Sequence, residues 1–193
     1  MSAALGEIGA PFVGAIPKGA QGGRVVSDIP AIHRLLRRAF QLSRSLPDEL
    51  LHVFQAQTAT LPRTTEVERM VVQRVGQDIF RAGLMEFWES RCALTGLPIP
   101  ELLRAGHIKP WAACETDAER LDVYNGLLLA PHLDAAFDQG FITLDEDGEV
   151  VVSQLLDEKA RRALGLPTTF EIRVKPTHHQ AYLEWHRTRV FRK

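Results

Sequence analysis

His107 and Asn125 stand beside two apolar segments, and Asp134 and Asp138 follow within one short stretch. These groups suit hydrolysis of a phosphodiester. A histidine that titrates near neutrality can take the proton from an attacking water, while a hard cation held by oxygen ligands neutralises charge on the phosphate and the leaving oxygen. On a helix, Asp134 and Asp138 are spaced so that their carboxylates can point the same way. Asn125 can orient the His107 ring through its amide or ligate the metal itself, and the residue types leave both roles open.

The elements that must position these groups are legible around them. His107-Ile108-Lys109-Pro110-Trp111 reads as an extended segment that breaks at Pro110, because proline pushes its predecessor to extended geometry and cannot continue a ladder. Leu127 to Leu129 is too short and too uniformly apolar for an amphipathic helix and fits a buried strand end. Pro131 then opens a helix whose Leu133, Ala136 and Phe137 share one face, with Gly140 as a left-handed stop. Cys92 to Gly96 predicts a short strand ending in a turn, and Glu101 to Leu103 leads back into His107. These two segments are expected to make the hairpin that precedes the helix. Between Trp111 and Tyr124 the chain is polar, a loop with one helical turn. Further on, Phe141 to Leu144 and Val150 to Val152 flank an Asp147-Gly148 hairpin turn, which lacks the ligand spacing of a calcium loop. A helix from Leu155 to Leu164, a strand from Phe170 to Val174 and a helix from Thr177 to Phe191 are expected to close the fold. His178, His179 and His186 are read as surface or packing residues, and Arg187, Arg189, Arg192 and Lys193 make the end basic.

Upstream, residues 1–28 are rich in Gly, Ala and Pro and predict an irregular arm. From Ile29 to Ser45, Ile32, Leu35, Leu36, Ala39 and Phe40 mark one helix face for burial, with Arg34, Arg37, Arg38 and Gln41 on the solvent side. Pro47 opens a second helix to about Gln57. A third starts after Thr65 and buries Val67, Met70, Val71 and Val75, and at Gly76 a break or two packed helices are expected. Its Arg74, Gln77 and Arg81 lie on one side, either as a polar face or as donors to a backbone phosphate.

The chain has 193 residues, 45% hydrophobic and 24% charged, which is enough apolar material for a core. A net charge of -1 is unlike a free-standing nucleic-acid binder, so a nucleic-acid face must be a local patch or a partner must bring the substrate. Cys92 and Cys114 supply neither a disulfide framework nor a four-thiolate zinc site, and no structural zinc is expected. No signal peptide or membrane span is read, so cytoplasmic residence is the expectation.

From about Val72 to Phe191 the chain resembles a bacterial subfamily of the HNH (ββα-metal) endonucleases. The resemblance rests on Arg74 to Arg81, Cys92 to Gly96, His107 to Trp111, Asn125 to Leu129 and Phe137 to Ile142. It implies an α+β fold, with a ββα-metal core, an N-terminal helical region (1–62, offering a protein-partner or homodimer contact) and a nuclease domain (63–193) ending in a strand–helix extension. It implies His107 as general base with Asn125 supporting the site. The family's helix histidine, nine residues beyond the asparagine, is Asp134 here, with His132 two residues earlier, and the residue before the base, often Asp or His, is Gly106. The metal ligands implied are therefore Asp134 and His132, with Mg2+ or Mn2+ as the cation. Arg74, Gln77, Arg81 and Lys109 are candidates for contacting nucleic acid, DNA rather than RNA. The implied activity is metal-dependent phosphodiester hydrolysis, as in the nuclease component of a restriction or anti-phage system. The alternative is a degenerate HNH-fold module that binds nucleic acid or a protein.

Overall fold

The computed structural model describes residues 8–20, 22–166 and 177–193. The N-terminal arm carries a two-residue antiparallel ladder, β1 (Ala10–Pro11) with β2 (Arg24–Val25). Three helices follow: α1 (Ile29–Arg44), α2 (Pro47–Thr58) and α3 (Glu66–Phe87). Asp28 caps α1 by accepting a hydrogen bond from the Ala31 amide at 2.7 Å. Thr65 and Glu68 close a reciprocal capping box at the start of α3.

Helix α1 is rotated from the expected orientation, with Arg34 and Arg37 exposed and Leu35 and Ala39 half-buried as the pattern implies but the rest displaced. Ile32, Leu36 and Phe40 are 41%, 61% and 62% exposed, whereas Arg38 is buried. The guanidinium of Arg38 donates to the Glu86 carbonyl at 2.7 Å and to the Phe87 carbonyl, in the last turn of α3. Carbonyls at a helix C-terminus have no partner within the helix and carry its negative dipole end, so a cation there outweighs the apolar stripe in setting how α1 faces the core. Replacing Arg38 with alanine is expected to lower the unfolding free energy by about 2–4 kcal/mol, read by urea denaturation, because it leaves the buried Phe87 carbonyl without its donor and takes one of two donors from the Glu86 carbonyl. A loss under about 1 kcal/mol would show that the interaction is incidental.

Helix α3 is continuous through Gly76, with neither the expected break nor a second helix, and it too is rotated from the expected face, leaving Val67, Met70 and Val71 exposed. The buried stripe runs through Val72, Gly76, Ile79, Phe80 and Gly83. Both glycines mark close approach: a Cβ at Gly76 would lie 2.5 Å from Cη2 of Trp111, and one at Gly83 would lie 2.5 Å from Cδ1 of Leu50. The strongest packing positions are thus ones that a hydrophobic pattern passes over.

Cys92 to Gly96 is a turn and not a strand. The Gly96 amide donates to the Cys92 carbonyl at 2.9 Å, and Pro98 and Pro100 just beyond lack the N–H groups a ladder needs. The hairpin pairs β3 (Arg104–His107) with β4 (Gly126–Leu129) instead, antiparallel, with His107 opposite Gly126 and Arg104 opposite Leu129. The turn is stitched to it by the Ala93 amide, which donates to the Leu128 carbonyl at 2.7 Å. The connection between the strands contains α4 (Asp117–Leu121) flanked by two 3₁₀ turns, more helical than the expected loop. Immediately after β4 comes α5 (Pro131–Asp138), which completes a strand–strand–helix unit.

The rest follows the sequence pattern more closely. β5 (Ile142–Leu144) pairs with β6 (Val150–Val152) across the acidic turn. α6 (Glu158–Ala163) is shorter than expected because Asp157 caps it, and α7 (Gln180–Arg189) closes the fold. The strand expected at Phe170 to Val174 lies outside the described residues. His186 is buried as packing: Nδ1 pairs with Oγ1 of Thr143 at 2.9 Å, and Nε2 donates to the Phe137 carbonyl at 3.0 Å. Gly140 has a φ of 73°, and a Cβ there would fall 2.1 Å from the Val190 carbonyl oxygen, so the C-terminal segment seats directly on the end of α5. One apolar core runs from Leu42, Leu50 and Phe54 of the N-terminal helices through β4 to Leu183 of α7, giving an α+β fold. No helix among the described residues is long and apolar enough to cross a membrane.

Candidate active site

His107 ends β3 and is held on three sides. Its ring stacks on Phe80 of α3 with centroids 3.8 Å apart and planes 14° from parallel, and it meets Trp111 edge-on at 5.6 Å. Nε2 lies 2.8 Å from the Arg120 carbonyl oxygen. A carbonyl only accepts, so Nε2 carries the hydrogen and, in the neutral ring, Nδ1 holds the free lone pair. Burial holds the imidazole below its usual pKa, opposed by the hydrogen bond to Arg120. The ring is therefore a fixed, neutral base near physiological pH.

Asn125 is fully buried and touches the histidine's support, not the histidine. Its Oδ1 accepts from the Lys109 amide at 2.8 Å, and its Nδ2 faces the carbonyls of Glu119 at 3.1 Å and Lys109 at 3.2 Å and Sγ of Cys114 at 3.3 Å. The amide thereby clamps both ends of the connection between the strands. The next carbonyl after Glu119 is that of Arg120, which takes the His107 hydrogen. Asn125 thus acts on the ring through the backbone, and every polar atom of its side chain is occupied by that clamp. Lys109 is also engaged away from the site: its ammonium sits 3.0 and 3.1 Å from the Glu119 carboxylate, which raises its pKa.

Asp134 comes to the site from α5. Its carboxylate lies beside Gly106, where a Cβ would fall 2.6 Å from Oδ1. Among the described residues it has no hydrogen-bond or ion-pair partner. Desolvation first, and the neighbouring Asp138 second, push its pKa up to about 6, while Arg104 works in the opposite direction. His132 is exposed, two residues from Asp134 and so on the far side of a helix, and takes no part in the cleft.

His107 and Asp134 line one open cleft of about 290 Å³, together with Arg74, Gln77, Arg81 and Arg104. Arg81 is partly committed to structure: its Nη1 donates to the Leu103 carbonyl at 2.9 Å and its Nη2 to the Pro100 carbonyl at 3.3 Å, which fixes the approach to β3. Arg74 makes only a loose, exposed contact of 4.0 Å with Asp78. Three guanidinium groups against two carboxylates give the cleft a local positive charge that the chain as a whole lacks. Residues 92–145, from the turn before β3 to the end of β5, match the model of an HNH endonuclease family. Through this stretch the chain is similar to the HNH endonucleases. No curated protein matches the chain.

The two departures from the HNH pattern, at residues 106 and 134, explain one another. A glycine at 106 leaves room for a carboxylate at 134, so the acid in the cleft with His107 comes from the helix and not from the strand. HNH nucleases use a divalent metal, and an oxygen donor with no protein partner, raised in pKa by burial, fits a hard cation. No group of three His, Cys, Asp or Glu side chains assembles among the described residues, so water and substrate oxygens would complete the coordination. Sequence reasoning missed three parts of this site. Phe80 registers only as core periodicity, the Arg120 carbonyl leaves no side-chain signature, and Arg104 is a lone charge at the start of a strand.

Proposed function

We propose that this protein is a metal-dependent endonuclease that hydrolyses phosphodiester bonds, in DNA rather than RNA. One observation carries this reading: a neutral, positioned imidazole and an unpartnered carboxylate line the same cationic cleft. Nδ1 of His107 takes the proton of the attacking water, and the Arg120 carbonyl stabilises the imidazolium that results. Arg74 and Arg104 hold non-bridging oxygens of the scissile phosphate, with the Gln77 amide beside them. Asp134 would hold the divalent cation, Mg2+ or Mn2+, which when bound offsets the charge of the phosphate and leaving oxygen. Asn125 is a positioning residue for the base.

The exposed apolar stripe of α1 supports the further reading that residues 1–62 dock on a protein partner, as the nuclease component of a cytoplasmic restriction or anti-phage system would. Arg44, whose guanidinium lies 5.8 Å from the Phe40 ring, adds a basic edge to that stripe.

A plasmid-nicking assay tests the activity. Supercoiled DNA is expected to convert to open circles with Mg2+ or Mn2+ and to stay intact with EDTA. Binding without cleavage under either metal would leave the binding-module reading in its place.

A further inference from the structure

A second cavity, of about 280 Å³, is walled by Phe54 of α2, by Trp111, and by Arg63, Arg69, Gln73, Asp117 and Arg120. Trp111 links this cavity to the cleft: it lines the cavity and meets His107, which lines the cleft, edge-on. The cationic groups here have different duties. Arg120 is committed to structure, paired with Asp117 at 2.9 Å, donating to the Cys114 carbonyl at 2.6 Å and standing 5.8 Å from the Trp111 ring. Arg63 and Arg69 have no carboxylate partner among the described residues. Arg63 gives one nitrogen to Oγ1 of Thr58 at 3.0 Å and sits 6.0 Å from the Phe54 ring, and Arg69 makes only a 3.4 Å contact with the Thr64 carbonyl. A guanidinium has five N–H donors, so most of theirs remain for a ligand.

Two forks without a carboxylate partner, beside the Trp111 ring and an amide, are the groups that take a phosphate and an unstacked base together. An acidic peptide would use the forks but not the ring. Gln73 of this cavity and Gln77 of the cleft are one helical turn apart on the same side of α3, so a single strand can pass from one to the other around Trp111.

We propose that this cavity is a nucleotide subsite for the strand being cut: Arg63 and Arg69 bind a phosphate adjoining the scissile one, and its base rests against the half-buried Trp111 ring. The proposal rests on the nuclease reading for the identity of the ligand, and it gives the N-terminal helices a direct share in the substrate site.

The test uses the full chain in EDTA, where nothing is cut, and a fluorescent single-stranded oligodeoxynucleotide containing 2-aminopurine. The double variant R63A/R69A alters two exposed side chains, and its thermal unfolding checks that it folds as wild type does. It is expected to bind about tenfold or more weakly, with a salt dependence shallower by about 0.7, for the one phosphate that is no longer neutralised. The 2-aminopurine signal that wild type changes should stay unchanged in the variant. Equal binding by both proteins, or displacement of the oligonucleotide by polyglutamate as readily as by unlabelled DNA, overturns the subsite. Plasmid cleavage by wild type with equal binding by the variant removes the subsite and leaves the nuclease standing. Arg63- and Arg69-dependent binding without cleavage under any metal does the reverse.

Discussion

His107→Ala is expected to lower the metal-dependent cleavage rate by about 10²–10⁴-fold while leaving DNA binding in EDTA close to that of wild type. Removing the imidazole takes away the acceptor for the water's proton but none of the guanidinium groups that hold phosphate. The pH profile adds a sign. A base must be unprotonated to act, and burial holds this ring below the usual imidazole pKa despite the Arg120 carbonyl. The rising limb of the wild-type rate is therefore expected to have its midpoint below about 6.5, the unperturbed value, and to flatten in the variant. Part of any limb near pH 6 belongs to Asp134, so the difference between the two profiles, and not either alone, reports the histidine. Equal rates in the two proteins would remove His107 from the reaction.

The parts of this structure that the sequence makes legible are those set by neighbours in the chain. Pro131, the Leu133-Ala136-Phe137 stripe and Gly140 define α5 locally, and Asp147-Gly148 defines the β5–β6 turn. The face of α1 is not legible, because Arg38 finds its acceptors in carbonyls 48 and 49 residues away, and acceptors on the backbone have no residue type. The pairing of β3 with β4 is hidden for a related reason: it spans the whole of residues 108–125, which are held by contacts distant in sequence, the Asn125 clamp and the Lys109–Glu119 pair among them. Asn125 itself illustrates the limit. Its identity signals a demanding polar site, but only coordinates show that the demand comes from three backbone groups and a thiol and not from the ring or a cation.

Asp134→Asn is expected to move stability and activity in opposite directions. A carboxyl whose folded pKa lies above its ordinary value favours folding only while protonated. The benefit is full below about 3.8 and disappears as the pH rises through about 6, so at neutral pH the ionised group weakens the fold. The neutral amide escapes that cost. Discounted for the solvent that still reaches the cleft, the gain is roughly 1–2 kcal/mol in EDTA at pH 7, which corresponds to a few degrees of thermal unfolding. Near pH 4 the two proteins should unfold alike. With Mg2+ or Mn2+ the order is expected to change: a cation that binds the folded carboxylate stabilises wild type by mass action and leaves the variant where it was, and the variant does not cleave. Gly106→Ala offers an independent approach to the same carboxylate, since its Cβ would stand 2.6 Å from Oδ1 and must push Asp134 aside. It should lose the metal-induced stabilisation without gaining the stability of the amide variant. A destabilised acid retained beside a glycine that makes room for it is the arrangement expected of a group kept for chemistry and not for folding. An Asp134→Asn protein that is less stable than wild type in EDTA, or that keeps its response to metal, would contradict that assignment.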